Sequence, residues 1–151
     1  MITTKKSVFA NLVFLPASPA ITTSKEYWEE VGVKWAGEDF WDQFLNLEIP
    51  EAPEGKYLLQ RLDPPTVSHR AVGELKRLGD KAKTPVSHLG AFLNSHRRKP
   101  GSFLTFAVGK DKHLWAVYFD WSTIYDSWIL CSGSVDDTHA WCSFSWMLYR
   151  K

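Results

Sequence analysis

Metal-ligating side chains crowd together in one stretch, Cys131, His139 and Cys142, spaced Cys-x7-His-x2-Cys, with Asp136 and Asp137 near enough in sequence to add an oxygen ligand. Structural zinc takes a tetrahedral set, usually built on closely paired cysteines. That paired spacing is missing here, and both cysteines fall at strand positions where a thiol behaves as a small buried hydrophobe. The expectation is two core thiols and no metal centre. Nucleophilic catalysis would need a thiolate or an activated serine beside a base and an orienting group. Cys131 or Cys142 with His113 or His139 is the available pairing, and aromatic neighbours raise a thiol pKa rather than lower it. No nucleophile elbow, triad order or phosphate loop is present. His88 and His96 share a face of one expected helix, with no carboxylate close in sequence. The chain leans away from an enzyme and requires no cofactor.

Charge offers more than reactivity does. The formal net charge is +1 over 151 residues, but Glu26 to Glu54 holds nine acidic residues and one lysine, a balance of −8, whereas Gly55 to His113 holds twelve basic and four acidic residues, a balance of +8. Two such blocks pair with each other, form opposite solvated faces, or supply a binding surface. The basic block has the element order helix, short basic turn, helix, hairpin. In a winged helix with that order, the second helix enters the major groove and the hairpin touches phosphate. Arg70, Lys76, Arg77, Lys81, Lys83, Arg97, Arg98, Lys99, Lys110 and Lys112 would then release counterions on binding. Part of that cluster also has a structural use, because cations in a last helical turn complement the helix dipole. Gly90 inside the second helix weakens it as a rigid reader.

The leading expectation is therefore a small non-catalytic macromolecule-binding protein, with nucleic acid favoured through the basic segment. The alternative is a protein-binding or inhibitory module. It would use the acidic segment, through Glu29, Glu30, Glu38 and Asp39, or an exposed aromatic sheet face bearing Trp141 and Tyr149. Such aromatics could equally stack on bases. An enzyme with an unrecognised Cys/His site stands third.

The elements that must position these residues are read from composition and period. Apolar residues make up 44% of the chain and aromatics 15%, enough for one domain with a sizeable core. Such a core needs no disulfide, so reduced cysteines and a cytoplasmic location are expected. Lys5 and Lys6 before Val8–Leu15 mimic a short signal peptide, but Asn11 interrupts the run. The stretch reads as a first strand buried between neighbours, and no segment is long enough to span a membrane. Gly101 to Lys151 carries five of the eight tryptophans and twelve of the 22 aromatics, in four segments rich in strand-forming residues.

These segments, Phe103–Val108, Leu114–Phe119, Trp128–Cys131 and Trp141–Tyr149, suggest a meander. Alternation puts Trp115, Val117, Phe119 and Trp121 on one face of the second and Leu114, Ala116 and Tyr118 on the other, which predicts a central strand covered on both sides. The fourth puts Cys142, Phe144, Trp146 and Leu148 on one face. Its other face is mixed, as at an edge.

Helices are expected from a Thr23–Glu26 capping box, from Glu38 with Phe40, Trp41, Phe44 and Leu45 on one face, from Asp63-Pro64-Pro65-Thr66, and from Thr84-Pro85 with Val86, Leu89, Phe92 and Leu93 inward. Tyr57–Leu62 reads as a short strand, and Gly109–Lys112 as a hairpin turn. Residues 1–151 are expected to form a single α+β domain, a mostly antiparallel sheet of five to six strands ending in a four-strand meander, packed against helices on one face.

Overall fold

The computed structural model describes residues 10–67, 75–135 and 143–151. In chain order it contains β1 (Ala10–Leu15), β2 (Ile21–Thr22), α1 (Lys25–Glu30), β3 (Val33–Ala36), α2 (Glu38–Phe44), β4 (Glu48–Ile49) and β5 (Gly55–Val67). Then come α3, whose described part is residues 75–78, a 3-10 turn (Gly79–Ala82), α4 (Val86–Ser95), β6 (Ser102–Val108), β7 (Leu114–Ser122), β8 (Ser127–Ser134) and β9 (Ser143–Arg150). Seven strands form one sheet in the order β1-β5-β9-β6-β7-β8-β3, and β2 and β4 pair separately. Among the strand pairs of the described residues only β9–β6 and β8–β3 are parallel, with an isolated parallel bridge between Lys83 and Phe106. The fold class is α+β, with no described helix long and apolar enough to cross a membrane.

Local chemistry sets several boundaries. Ser24, not Thr23, caps α1 by accepting the Tyr27 N–H at 3.1 Å. Thr23 is fully buried and ties two loops, donating to the Phe44 carbonyl at 2.6 Å and accepting the Leu47 N–H at 2.9 Å. The Asp63-Pro64-Pro65-Thr66 stretch does not start a helix. It continues β5, and the prolines sit where the β5–β9 register shifts, between Arg61 and Thr66, so their missing N–H groups cost no ladder bond.

Interior and edge positions also differ from expectation. β1 lies at the sheet edge, paired only with β5, and leaves Leu12 and Phe14 exposed. β6, β7 and β8 are consecutive antiparallel neighbours, while β9 crosses to the other side of β6 and runs between it and β5. A strand there must be buried on both faces. Trp146 and Leu148 join one core while Phe144 and Met147 join the other, so Phe144 departs from simple alternation. Ser145 needs no solvent, because its hydroxyl bonds the Ser102 backbone at 3.3 Å.

Both sheet faces are covered. On the first, Trp28, Phe40, Phe44, Leu89, Phe92 and Leu93 of α1, α2 and α4 pack on Phe103, Val117, Phe119, Trp128 and Leu148. On the second, Leu75, Leu78 and Ala82 pack on Leu104, Phe106, Ala116, Tyr118 and Met147. The chain changes face where β6 and β9 splay. These strands pair only at Phe103–Trp146 and Leu104–Met147. Thr84 fills the fork beyond, its N–H donating to the Phe106 carbonyl at 2.7 Å and its hydroxyl meeting that of Thr105 at 2.7 Å. Thr105 passes the bond on to the Leu148 carbonyl at 3.0 Å. Lys83 thus makes an isolated parallel bridge to Phe106, Thr84 bonds to the sheet without joining a strand, and Pro85 takes the N-cap of α4 with no side-chain cap bond.

Candidate functional site

The basic residues are scattered by this topology. Arg70 lies outside the described residues. Lys76 and Arg77 ride on α3 over the second face, and Lys81 and Lys83 follow in and just after the 3-10 turn. Arg97, Arg98 and Lys99 follow α4 on the first face. With the two helices on opposite faces of one sheet, they do not stack as a helix-turn-helix. Lys110 and Lys112 sit in the β6–β7 turn, at the far end of the seven-residue β6 from Lys99, which at strand rise is about 20 Å. That turn is tied to α2, since the Lys110 N–H donates to the Gln43 carbonyl at 3.0 Å and the Asp111 N–H to Gln43 Oε1 at 3.1 Å.

Several of these cations have internal partners. The Arg97 guanidinium bonds the Glu30 carbonyl and Asn94 Oδ1, Arg98 approaches Asp126 at 3.4 Å, and Lys83 approaches Asp80 at 3.3 Å. Lys99 lies 5.1 Å and Arg61 5.9 Å from the ring centre of half-buried Trp146.

The acidic block stays together. Glu26, Glu29 and Glu30 fall at helical spacing on the face of α1 opposite Trp28, whose indole N–H donates to the Phe44 carbonyl at 2.9 Å. Glu38, Asp39 and Asp42 lie outward on α2, while Phe40 and Phe44 point in. Trp28 and Phe40 meet edge to face at 5.1 Å, so the two helices are neighbours and each turns its carboxylates to solvent. All nine carboxylates between Glu26 and Glu54 are exposed, and among the described residues none makes an ion pair. The two charge blocks do not neutralise each other through contacts.

Between these helices runs β3, the outermost strand on this side, paired only with β8. Its register slips between Val33 and Trp35, a bulge that turns both Lys34 and Trp35 outward, and Trp35 is 54% exposed. A large indole on a free strand edge, on the strand that joins two acidic helices, is the surface feature that sequence reasoning missed. Its signal was the outward pair Lys34-Trp35 between the buried Val33 and Ala36. Of the other aromatic candidates, Trp141 lies outside the described residues. Tyr149 is half-buried against the second core, its hydroxyl donating to Gln60 Oε1 at 3.0 Å.

Groups that could do chemistry are few. Among the described residues no cluster of three His, Cys, Asp or Glu side chains is placed to hold a metal ion. Of the Cys131, His139 and Cys142 array, only Cys131 is described. The closest acid–base pair is Tyr57 with His88, hydroxyl to Nδ1 at 2.5 Å, and both residues are sealed in the core. Burial holds the His88 imidazole below its ordinary pKa of 6.5, opposed by the Pro53 and Pro16 carbonyls and reinforced by the Arg150 charge. Burial also lowers His96, stacked on Phe92 at 4.1 Å, against the Phe92 carbonyl and with the charge of Lys99.

A histidine kept neutral by the fold is protonated more readily once unfolded. Its stabilisation is complete above the unfolded pKa and is lost as pH falls below it. Urea unfolding should therefore show stability declining as pH drops below about 6.5. The slope should shrink in His96→Gln. A flat profile through this range would contradict the lowered pKa of buried His88 and half-buried His96.

Comparison with known protein families, with curated proteins and with solved structures gave no match.

Proposed function

We propose that this chain is a non-catalytic binding module that docks a basic protein surface through α1, β3 and α2. The observation that carries the reading is the half-exposed Trp35 at a free strand edge, on the strand that joins two helices whose carboxylates are exposed and make no ion pair among the described residues. Dense charge of one sign steers association and rejects like-charged competitors. A tryptophan on the joining strand provides the desolvated anchor on which interface energy concentrates. The free edge of β3 also offers backbone groups to an added strand, with Lys34 guarding against indiscriminate pairing.

A second reading, nucleic-acid binding, draws on the convergence of Arg61 and Lys99 at Trp146 beside Arg98, which gathers cations and an aromatic surface at one end of the sheet.

Two experiments separate them. Basic proteins retained from a lysate by the wild type should be lost when Glu29, Glu30, Glu38 and Asp39 are all changed to Lys, with affinity down about a hundredfold or more. Trp35→Ala alone should weaken the same complex about thirtyfold, as expected of a central anchor. In parallel, labelled duplex and single strands are titrated at low salt against the wild type and against a variant with Arg97, Arg98 and Lys99 changed to Glu. Tight, steeply salt-dependent binding that the triple variant loses would replace the protein-docking reading with the nucleic-acid one.

A further inference from the structure

A cleft of about 490 Å³ opens at the N-terminus of α4, far from the acidic face of α1, and its walls include Leu47, Ile49, Val86 and Val108. The volume is that of a small-molecule site. The helix start that forms its floor is unfinished. Pro85 at the N-cap has neither an N–H nor a capping side chain, and among the described residues the N–H groups of Val86 and Ser87 make no hydrogen bond. Two free amides at the positive end of a ten-residue helix form an anion cradle.

Ser87 adds an independent observation. It is 97% buried, being 3% exposed, and its hydroxyl has no hydrogen-bond partner among the described residues. It lines the cleft, and its hydroxyl is not among the polar atoms wholly shut away from solvent. A hydroxyl so enclosed, with no bond within the described protein, keeps its donor and acceptor capacity for what enters from the cleft.

The charges around the cleft narrow the ligand. Lys83, Lys112 and Arg150 line it, and so do Glu48, Glu51 and Asp80. Asp80 is paired with Lys83 at 3.3 Å, and its carbonyl accepts from Arg150 at 3.3 Å. Lys112 has no ion pair among the described residues. The rim sets three cations against three carboxylates, so it gives the second charge of a dianion no net attraction, whereas the apolar part of a monoanion would cover the aliphatic wall.

We propose that this cleft binds a small organic carboxylate, its oxygens on the Val86 and Ser87 amides and the Ser87 hydroxyl, with Lys112 beside it and an aliphatic tail against Leu47, Ile49 and Val108.

The test is an amide chemical-shift titration of the full chain with isocaproate, using isocaproamide and inorganic phosphate as controls. Isocaproate should shift the Val86 and Ser87 amides saturably, with a Kd on the order of 1 mM. Isocaproamide, identical but uncharged, should not. Ser87→Ala should weaken binding about fivefold, the worth of one hydrogen bond, without lowering the melting temperature, since that hydroxyl has no partner to lose. Lys112→Glu, a change at an exposed turn, should weaken it further. The proposal fails if isocaproate gives no saturable shift up to about 20 mM. It fails equally if the amide or phosphate shifts these groups as strongly, or if Ser87→Ala and Lys112→Glu bind as the wild type does.

Discussion

Trp128→Ala should destabilise the protein by about 3 to 5 kcal/mol, the range for truncating a large aromatic in a core that cannot collapse onto the gap. Trp128 lies on β8 with no exposed surface, and its ring meets Phe103, Phe119 and Trp121 edge to face at 5.9, 5.6 and 5.4 Å. Its indole N–H donates to the Leu93 carbonyl at 2.8 Å, so one side chain joins the sheet to α4 twice, by packing and by a bond to the backbone near the helix end. The two contributions can be separated. Trp128→Phe keeps most of the volume and leaves the carbonyl without its donor, which should cost about 1 to 3 kcal/mol. Denaturant unfolding reads both, with the midpoint falling and the slope unchanged. A loss under about 1 kcal/mol for Trp128→Ala would mean that the ring does not hold β8 to α4 as described.

The same core shows what alternation alone can and cannot tell. The period-two pattern of Trp115 to Trp121 gave the right two faces for β7 and its central place in the sheet. It gave Trp115 and Phe119 equal standing, yet Phe119 is 1% exposed amid Phe92, Phe103 and Trp128, while Trp115 is half-buried and spends its N–H on Asp111. Depth along a strand depends on what lies across it, and the sequence of that strand does not encode its partner.

The presence of α1 and α2 was legible because inward aromatics at helical spacing are a local signal, although the cap of α1 is Ser24 rather than Thr23 and α2 has no side-chain cap. β3 was not, since four residues with a bulge become a strand only by pairing with Trp128–Leu130 far along the chain. The crossing of β9 is equally non-local. For the candidate surfaces, composition showed two opposed charge blocks, but only the fold separates α3 from α4 and brings α1 against α2 with their carboxylates left outside.

Gly90→Ala should change sign with its surroundings. In a helix interior alanine is favoured over glycine by about 1 kcal/mol, and Gly90 sits within α4. A Cβ built there would nonetheless land on the Tyr27 hydroxyl and come within 2.8 Å of its ring carbon Cζ. Tyr27, carried by α1, reaches α4 at Gly90 and packs edge to face with Trp28 at 5.1 Å, so yielding would disturb the contact between the two helices. Forcing a methyl into such a contact costs about 1 to 3 kcal/mol, which exceeds the helix gain, and Gly90→Ala alone should lower stability.

In a Tyr27→Ala background the obstacle is gone, and the same substitution should raise stability by about 1 kcal/mol. Each single variant and the double variant are compared by thermal and denaturant unfolding, and the coupling between the sites is the difference. If Gly90→Ala stabilises the wild type as much as it stabilises Tyr27→Ala, then α1 does not rest on α4 at this point. The acidic face that α1 carries would then lose the support that α4 gives it.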